Sequence, residues 1–266
     1  GEMRYALPDN VVHLEVHYLH EPQSKPPVIK RKGNAQVFKE IRCLHDQYRH
    51  ADSPKTEMAS LLASIMKHRN EGRYAEADFL YSRESWDYIT EQYRERCTDP
   101  SFVDYFWTVR IMHSPLWKLM ALTESFIPVK VFHTISTGYA GFLGALMKQR
   151  TGKPLILSEH GIYTKERKID LFQAEWIRDN RGTLTKDSSE VAYFRHLWIR
   201  FFEAFGRDCY HHAARIIALY ETNRLRQIQD GAPAERTENI PNGINFPHLA
   251  KVREQRSDTI PLTICL

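Results

Sequence analysis

An α/β fold on a parallel sheet, with helices on both faces and a helical insertion ahead of the sheet, is what this sequence predicts. Three observations carry it. From residue 129 onward, short runs rich in β-branched residues alternate with longer helical stretches. The cap Ser136-Thr137-Gly138 and the turn Gly152-Lys153-Pro154 punctuate that alternation. Residues 33–125, by contrast, repeat their apolar positions at helical spacing and are crowded with aromatics.

Residues 11–19 (VVHLEVHYL) alternate and read as a strand. Pro22, Pro26 and Pro27 make the next stretch an exposed connection, because proline donates no ladder hydrogen bond. From residue 38 to about 69 the pattern turns helical, and Pro54 after Ser53 opens a helix with Met58, Leu61, Leu62, Ile65 and Met66 on one face. Ser85 is the expected N-cap of the next helix (WDYITEQYRERC), and residues 102–122 form another, with His113-Ser114-Pro115 as its break. The Trp and Tyr content here reads as core packing.

Residues 129–134 (VKVFHT) form a strand, and Ser136-Thr137-Gly138 cap a helix that runs to residue 150. Gly152-Lys153-Pro154 turn the chain into a second strand at 155–158, completing a βαβ unit. Residues 188–213 form a long amphipathic helix that buries Val191, Phe194, Trp198, Phe201, Phe202, Phe205 and Cys209. Strand, helix and strand follow at 215–219, 222–230 and 238–241, with Gly231 stopping the helix. Such alternation implies right-handed crossovers.

The composition, 42% hydrophobic and 26% charged, is that of a folded, solvated chain. A net charge of +4 and a pI near 8.8, spread without a Lys/Arg block, give nucleic-acid binding little support. They suit an anionic small molecule or a membrane surface better. Cys43, Cys97, Cys209 and Cys265 are far apart with no CxxC spacing, so free thiols and a cytoplasmic location are expected. Residues 138–147, the most apolar helix candidate, are too few to span a bilayer, so membrane contact is expected through partners.

Ligands of parallel sheets sit outside the carboxyl ends of the strands, where His133, Glu159-His160 and Asn242-Gly243 fall. SEHGIYTKERKID reads as a strand end followed by a charged loop. There Gly161 lets the backbone approach a ligand, and Lys165, Arg167 and Lys168 supply charge for a phosphate. The bland alternative is a solvated loop with a structural histidine. Gly138, Gly141 and Gly144 are three apart and do not make GxGxxG. Close packing of their helix on the sheet is the preferred reading, beside an anion held by the Ser136 and Thr137 hydroxyls. HExxH, GxSxG, P-loop and DxD patterns do not occur, which disfavours an esterase, an NTPase or a metal-dependent transferase, and no metal is expected.

Residues 215–245 (RIIALYETNRLRQIQDGAPAERTENIPNGIN) resemble the segment that closes the N-terminal domain of retaining GT-B glycosyltransferases of the glycogen-synthase-like kind. There a strand, a helix, a GA stop and a strand ending in I-P-N-G-I/V-D lead into the interdomain linker; here Asn245 stands in place of the Asp. Together with HTISTGYAGFLGALMKQRTGKPLILSEHGIYTKERKIDLFQAEWI, the chain resembles the Pel exopolysaccharide glycosyltransferase family, most strongly over residues 129–245.

The resemblance implies a Rossmann-like, acceptor-side domain over residues 1–245, the N-terminal half of a GT-B fold, with an interdomain linker and the first strand of a second domain over 246–266. It also implies a cytoplasmic enzyme that moves a sugar from a UDP-sugar to a polysaccharide acceptor of the biofilm matrix. Such an enzyme needs no metal and works with inner-membrane Pel proteins. His160 is then the catalytic candidate, near the donor sugar, with Lys165 or Arg167 near phosphate or acceptor and Asn242 and Gly243 shaping the cleft. His133, Ser136, Thr137, Glu159, Gly161 and Tyr163 complete the substrate-binding candidates. The family's opening Gly-rich loop is not found and its second domain would begin at IPLTICL, so the 266-residue chain alone is expected to be inactive. The alternatives are a noncatalytic Rossmann-like scaffold of a membrane synthase complex and an epimerase acting on the same UDP-sugars.

Overall fold

The computed structural model describes residues 7–19, 31–49, 55–74, 76–182 and 192–254. Among these residues five helices precede the sheet: α1 (Ala35–Arg49), α2 (Lys55–Asn70), α3 (Glu76–Tyr81), α4 (Arg83–Arg96) and α5 (Phe102–Leu122). The Asn34 side chain starts α1 by accepting the backbone N–H groups of Gln36 and Val37 at 3.1 and 3.4 Å. That helix buries Val37, Phe38, Ile41 and Leu44, one face at helical spacing. α2 buries Leu62, Ile65 and Met66 as expected, whereas Ser53 and Pro54 lie outside the described residues.

The expected cap of α4 is corrected by three residues. Ser82, extended at φ −87° and ψ 162°, accepts the Ser85 N–H at 3.1 Å. Ser85 sits in the first turn, buried, with its hydroxyl donated back to the Phe79 carbonyl. α5 has the expected bounds, and Pro115 lies inside it without ending it. The proline removes one intrahelical donor, yet burial of Met112, Trp117, Leu119 and Met120 on either side keeps the helix continuous.

The expected strand at 11–19 does not form. Residues 11–18 lie in no ladder and leave Val12, Leu14, Val16 and Tyr18 in solvent. Alternation supplies two faces, but a strand also needs a neighbour's N–H and C=O groups, and among the described residues none is paired with it.

Among the described residues four parallel strands form the sheet in chain order: β1 (Phe132–Thr134), β2 (Leu155–Glu159), β3 (Ala213–Ala218) and β4 (Thr237–Asn239). The parallel α/β class read from the sequence is therefore the class observed, whereas the helices expected on both faces of the sheet are corrected to one face, because the strands are consecutive neighbours. The connecting helices are α6 (Tyr139–Thr151), α7 (Tyr163–Gln173), α8 (Tyr193–His212) and α9 (Glu221–Gln229). Parallel strands that are consecutive neighbours bring their connecting helices to one face, since crossovers of one hand pack on one side. Accordingly Leu155, Leu157, Ile216 and Ala218 are buried, while His133 and Arg215 on the opposite face are exposed and Ile156 and Ile217 half-buried. Arg215 pairs there with Glu238 at 2.5 Å. α10 (Phe246–Glu254) falls where a linker was expected, and the strand expected near 260 lies outside the described residues.

The buried residues form two clusters, a small one on the sheet and a large one through the helical region. Cys209 and Tyr210 of α8 cover the sheet, and Phe142 stacks on Phe205 at 4.5 Å between α6 and α8. Phe38, Tyr74, Phe79, Ile89 and Trp117 extend the same cluster outward, so the aromatic-rich region is core, as read from its spacing. Among the described residues no helix is long and apolar enough to cross a membrane.

The glycine stripe explains how α6 seats. A Cβ on Gly144 would lie 2.7 Å from a Leu155 methyl, and one on Gly141 would lie 2.7 Å from the Ser136 carbonyl and 2.8 Å from the Cys209 sulfur. Gly152 ends the helix in the left-handed region at φ 71°. Gly141→Ala, pressed against a backbone oxygen, should lower stability by about 1–3 kcal/mol. Gly243→Ala, whose Cβ meets nothing within 4 Å, should leave it unchanged. Denaturant unfolding of both variants checks this, and an unaltered midpoint for Gly141→Ala would mean that α6 is not seated so closely.

Candidate functional site

Strand pleating sorts the residues of β2. Leu155, Leu157 and Glu159 face the helices, Ile156 and Ser158 face away, and the chain then leaves the sheet at His160 in solvent. Glu159 is 1% exposed. Its Oε1 accepts the Thr137 hydroxyl at 3.1 Å, and its Oε2 accepts the Tyr210 hydroxyl at 2.8 Å and the Gln227 amide at 2.9 Å. The Tyr163 backbone N–H adds a further bond. One carboxylate thus ties the loop before α6, the start of α7, and helices α8 and α9 to the end of β2.

Burial raises the Glu159 carboxyl above its usual value, against the opposing pull of the bonds from Gln227, Tyr210, Thr137 and the Tyr163 N–H. Glu159 and Thr137, expected to contact a ligand, lie buried with their side chains bonded within the fold. Thr137 is fully buried and its hydroxyl is spent on Glu159. Both residues shape the edge from beneath.

The remaining sequence-selected residues divide by position. Ser136 is half-buried, its hydroxyl accepting the Gly138 N–H at 3.3 Å. His133 stands in register with Ile156, on the uncovered face rather than at the strand tip, with Nε2 3.0 Å from the Ser158 hydroxyl. His160 is exposed and makes no hydrogen bond or ion pair among the described residues. Half-buried Gly161 follows it. Asn242 and Gly243 are exposed in the stretch that leaves β4.

The charged loop expected after Gly161 is a helix. Thr164 and Leu171 of α7, seven residues apart, are its buried side, and Arg167 reaches Asp170 at 3.5 Å one turn on. Arg167 also lies 5.2 Å from the Phe202 ring and donates to the Tyr163 hydroxyl at 3.3 Å, so its guanidinium is held by the fold. Tyr163 in turn covers Gly138, where a Cβ would come within 2.5 Å of the ring. Lys165 and Lys168 line a cavity of about 400 Å³ between α7, α8 and α9, whose walls include none of His160, Asn242 and Gly243. The structure therefore assigns these lysines to a concavity other than the strand-end loops.

The carboxyl edge then presents Ser136, His160 and Asn242 from three loops. A fourth residue belongs with them: Tyr220, 62% exposed, directly after β3. Sequence reasoning passed over it, although its place at the end of RIIALY is the signal that singled out His160. Ile135, Ile240 and Ile244 add exposed apolar surface in the same loops. An imidazole, hydroxyls and an amide at a strand edge can hydrogen-bond a polyhydroxylated ligand and shuttle a proton. Among the described residues no three His, Cys, Asp or Glu side chains are grouped to hold a metal. Cys43, Cys97 and Cys209 are free thiols.

A family model described as a domain of unknown function, DUF3492, matches residues 1–235. No curated protein and no solved structure matches the chain.

Removing the Glu159 carboxylate strands several buried donors at once. Glu159→Ala should cost about 3 kcal/mol or more of stability. Glu159→Gln should cost less, because hydroxyl donors can turn to accept from the new amide. The pH dependence follows from the raised pKa: the folded state holds the proton above 4.5, where the unfolded chain releases it. The native Glu159 contribution is therefore fully present below 4.5 and is lost as the pH rises through the folded value. Urea titrations of wild type and Glu159→Gln should show the gap between them shifting in the variant's favour as pH rises from 4.5; a pH-independent gap would contradict the assignment.

Proposed function

The chain belongs to the DUF3492 family, and from that premise we propose that it is the acceptor-side half of a retaining GT-B glycosyltransferase. In this reading it helps move a sugar from a UDP-sugar to a growing exopolysaccharide of the Pel type, in the cytoplasm beside inner-membrane partners. The observation that carries the proposal is the carboxyl edge of the sheet, where exposed His160 follows a buried, fully bonded Glu159. The occurrence of this domain in glycosyltransferase-like proteins supports it. So does the apolar rim of Ile135, Tyr220, Ile240 and Ile244, which suits an edge on which a second body closes.

Closure of that kind matters chemically. Excluding water strengthens the hydrogen bonds made to the reacting sugar and prevents hydrolysis of the donor. His160 would bond a donor-sugar hydroxyl through its ring, and Ser136, Tyr220 and Asn242 would bond acceptor hydroxyls from neighbouring loops. The uncovered sheet face, with half-buried Ile156 and Ile217, favours a second reading as a binding scaffold of a synthase complex.

His160→Ala in the active transferase should lower turnover by about 10²-fold or more while leaving the melting temperature unchanged, since the ring is exposed and makes no hydrogen bond or ion pair among the described residues. UDP release from a panel of UDP-sugars in the presence of acceptor measures it. Unchanged turnover would remove His160 from the reaction and leave the scaffold reading in front.

A further inference from the structure

The helical region encloses a cavity of about 440 Å³ among α1, α2, α4, α5, α6 and α8, and no strand-end residue lines it. That volume lies within the range of about 300–1,000 Å³ usual for small-molecule sites. Protein interiors ordinarily close such space. Water fills a void only where it finds two to four polar partners, and the floor here is Leu62, Ile89, Val109, Met112 and Phe142.

One wall is polar, but its groups are engaged with one another. His113 Nδ1 lies 2.6 Å from the Val109 carbonyl and must donate to it. His113 Nε2 then accepts from His45 Nε2 at 3.0 Å, and His45 Nδ1 accepts the Tyr88 hydroxyl at 2.5 Å. This network assigns both tautomers as neutral. Burial acts the same way, pushing His45 well below the usual imidazole value and His113 down to about 4. Charge therefore enters only at the mouth.

There the lining is one-sided. Arg49, Arg96 and Arg200 belong to it, and no carboxylate does. Arg49 and Arg96 share Asp46 at 2.7 and 3.0 Å, and Arg96 stands 4.0 Å from Glu95. Arg200 is exposed and makes no hydrogen bond or ion pair among the described residues. Guanidinium groups match planar carboxylate and phosphate oxygens through paired N–H donors.

We propose that this cavity binds a single-chain amphiphile, its aliphatic chain against the Leu62–Met112–Phe142 floor and its anionic headgroup, carboxylate or phosphate, at Arg200 and Arg49. The site is independent of the transferase reading and stands or falls on binding alone.

The test is calorimetric titration of the purified chain with laurate, dodecyl phosphate and dodecanol, all below micellar concentration, with a fluorescent fatty acid displaced in parallel. One equivalent of laurate, dodecyl phosphate or both should bind saturably, the preference naming the headgroup, and dodecanol should bind about tenfold more weakly for want of the charge-assisted bonds. Arg200→Glu, an exposed change that leaves folding intact, should weaken the anions about tenfold without affecting dodecanol. Leu116→Trp, which fills the cavity, should abolish binding of all three. No saturable binding of either anion to a protein with a native melting curve overturns the proposal. Dodecanol binding as tightly as the anions, or anion binding indifferent to Arg200→Glu, overturns it equally.

Discussion

A single buried carboxylate organises the carboxyl edge of this protein. Glu159 sits at the tip of β2 without a cationic partner among the described residues and is held by donors from Thr137, Tyr163, Gln227 and Tyr210. A buried charge is tolerable only when its lone pairs are met, so each of those elements is constrained to arrive at one point. The loop before α6, the first turn of α7, and the bodies of α8 and α9 are thereby fixed relative to β2. His160, the next residue, is left in solvent as a direct consequence of strand pleating.

The same pleat and the crossover rule divide the sheet into two unlike faces. With parallel strands in chain order, crossovers of a single hand accumulate helices on one side. That side demanded close approach, which the glycines of α6 permit against Leu155 and Cys209. Beyond it the five helices α1–α5 form a further layer, and their aromatic side chains continue the core. The imperfect fit of that layer against α6 and α8 leaves the cavity whose arginine mouth is unlike anything at the sheet edge.

Much of the fold was legible because it depends on local signals. The bounds of α5, the βαβ unit around Gly152, the stop at Gly231 and the three-residue glycine spacing all follow from periodicity and backbone freedom. Where two local signals competed, the reading went astray. Ser82 and Ser85 both suit an N-cap, and only the arrival of the chain at an extended φ,ψ selects Ser82. In the 162–170 stretch, charge density suggested a loop, whereas Thr164 and Leu171 against α8 make it a helix. Residues 11–19 carry a strand's alternation but lack a neighbour.

The sequence by itself determined the four strands of the sheet and most of the helices around them, that the strands run parallel, and that His160, Asn242 and, by the same rule, Tyr220 lie at strand ends. These are properties of a few consecutive residues. Only the tertiary structure decided that Glu159 and Thr137 turn inward while His160 turns outward, that Lys165 and Lys168 serve a different concavity, and that a cavity opens between the helices. The physical reason is that burial and charge environment depend on which face of the sheet is covered and on side chains as far apart in sequence as Glu159 and Gln227, which no local pattern specifies.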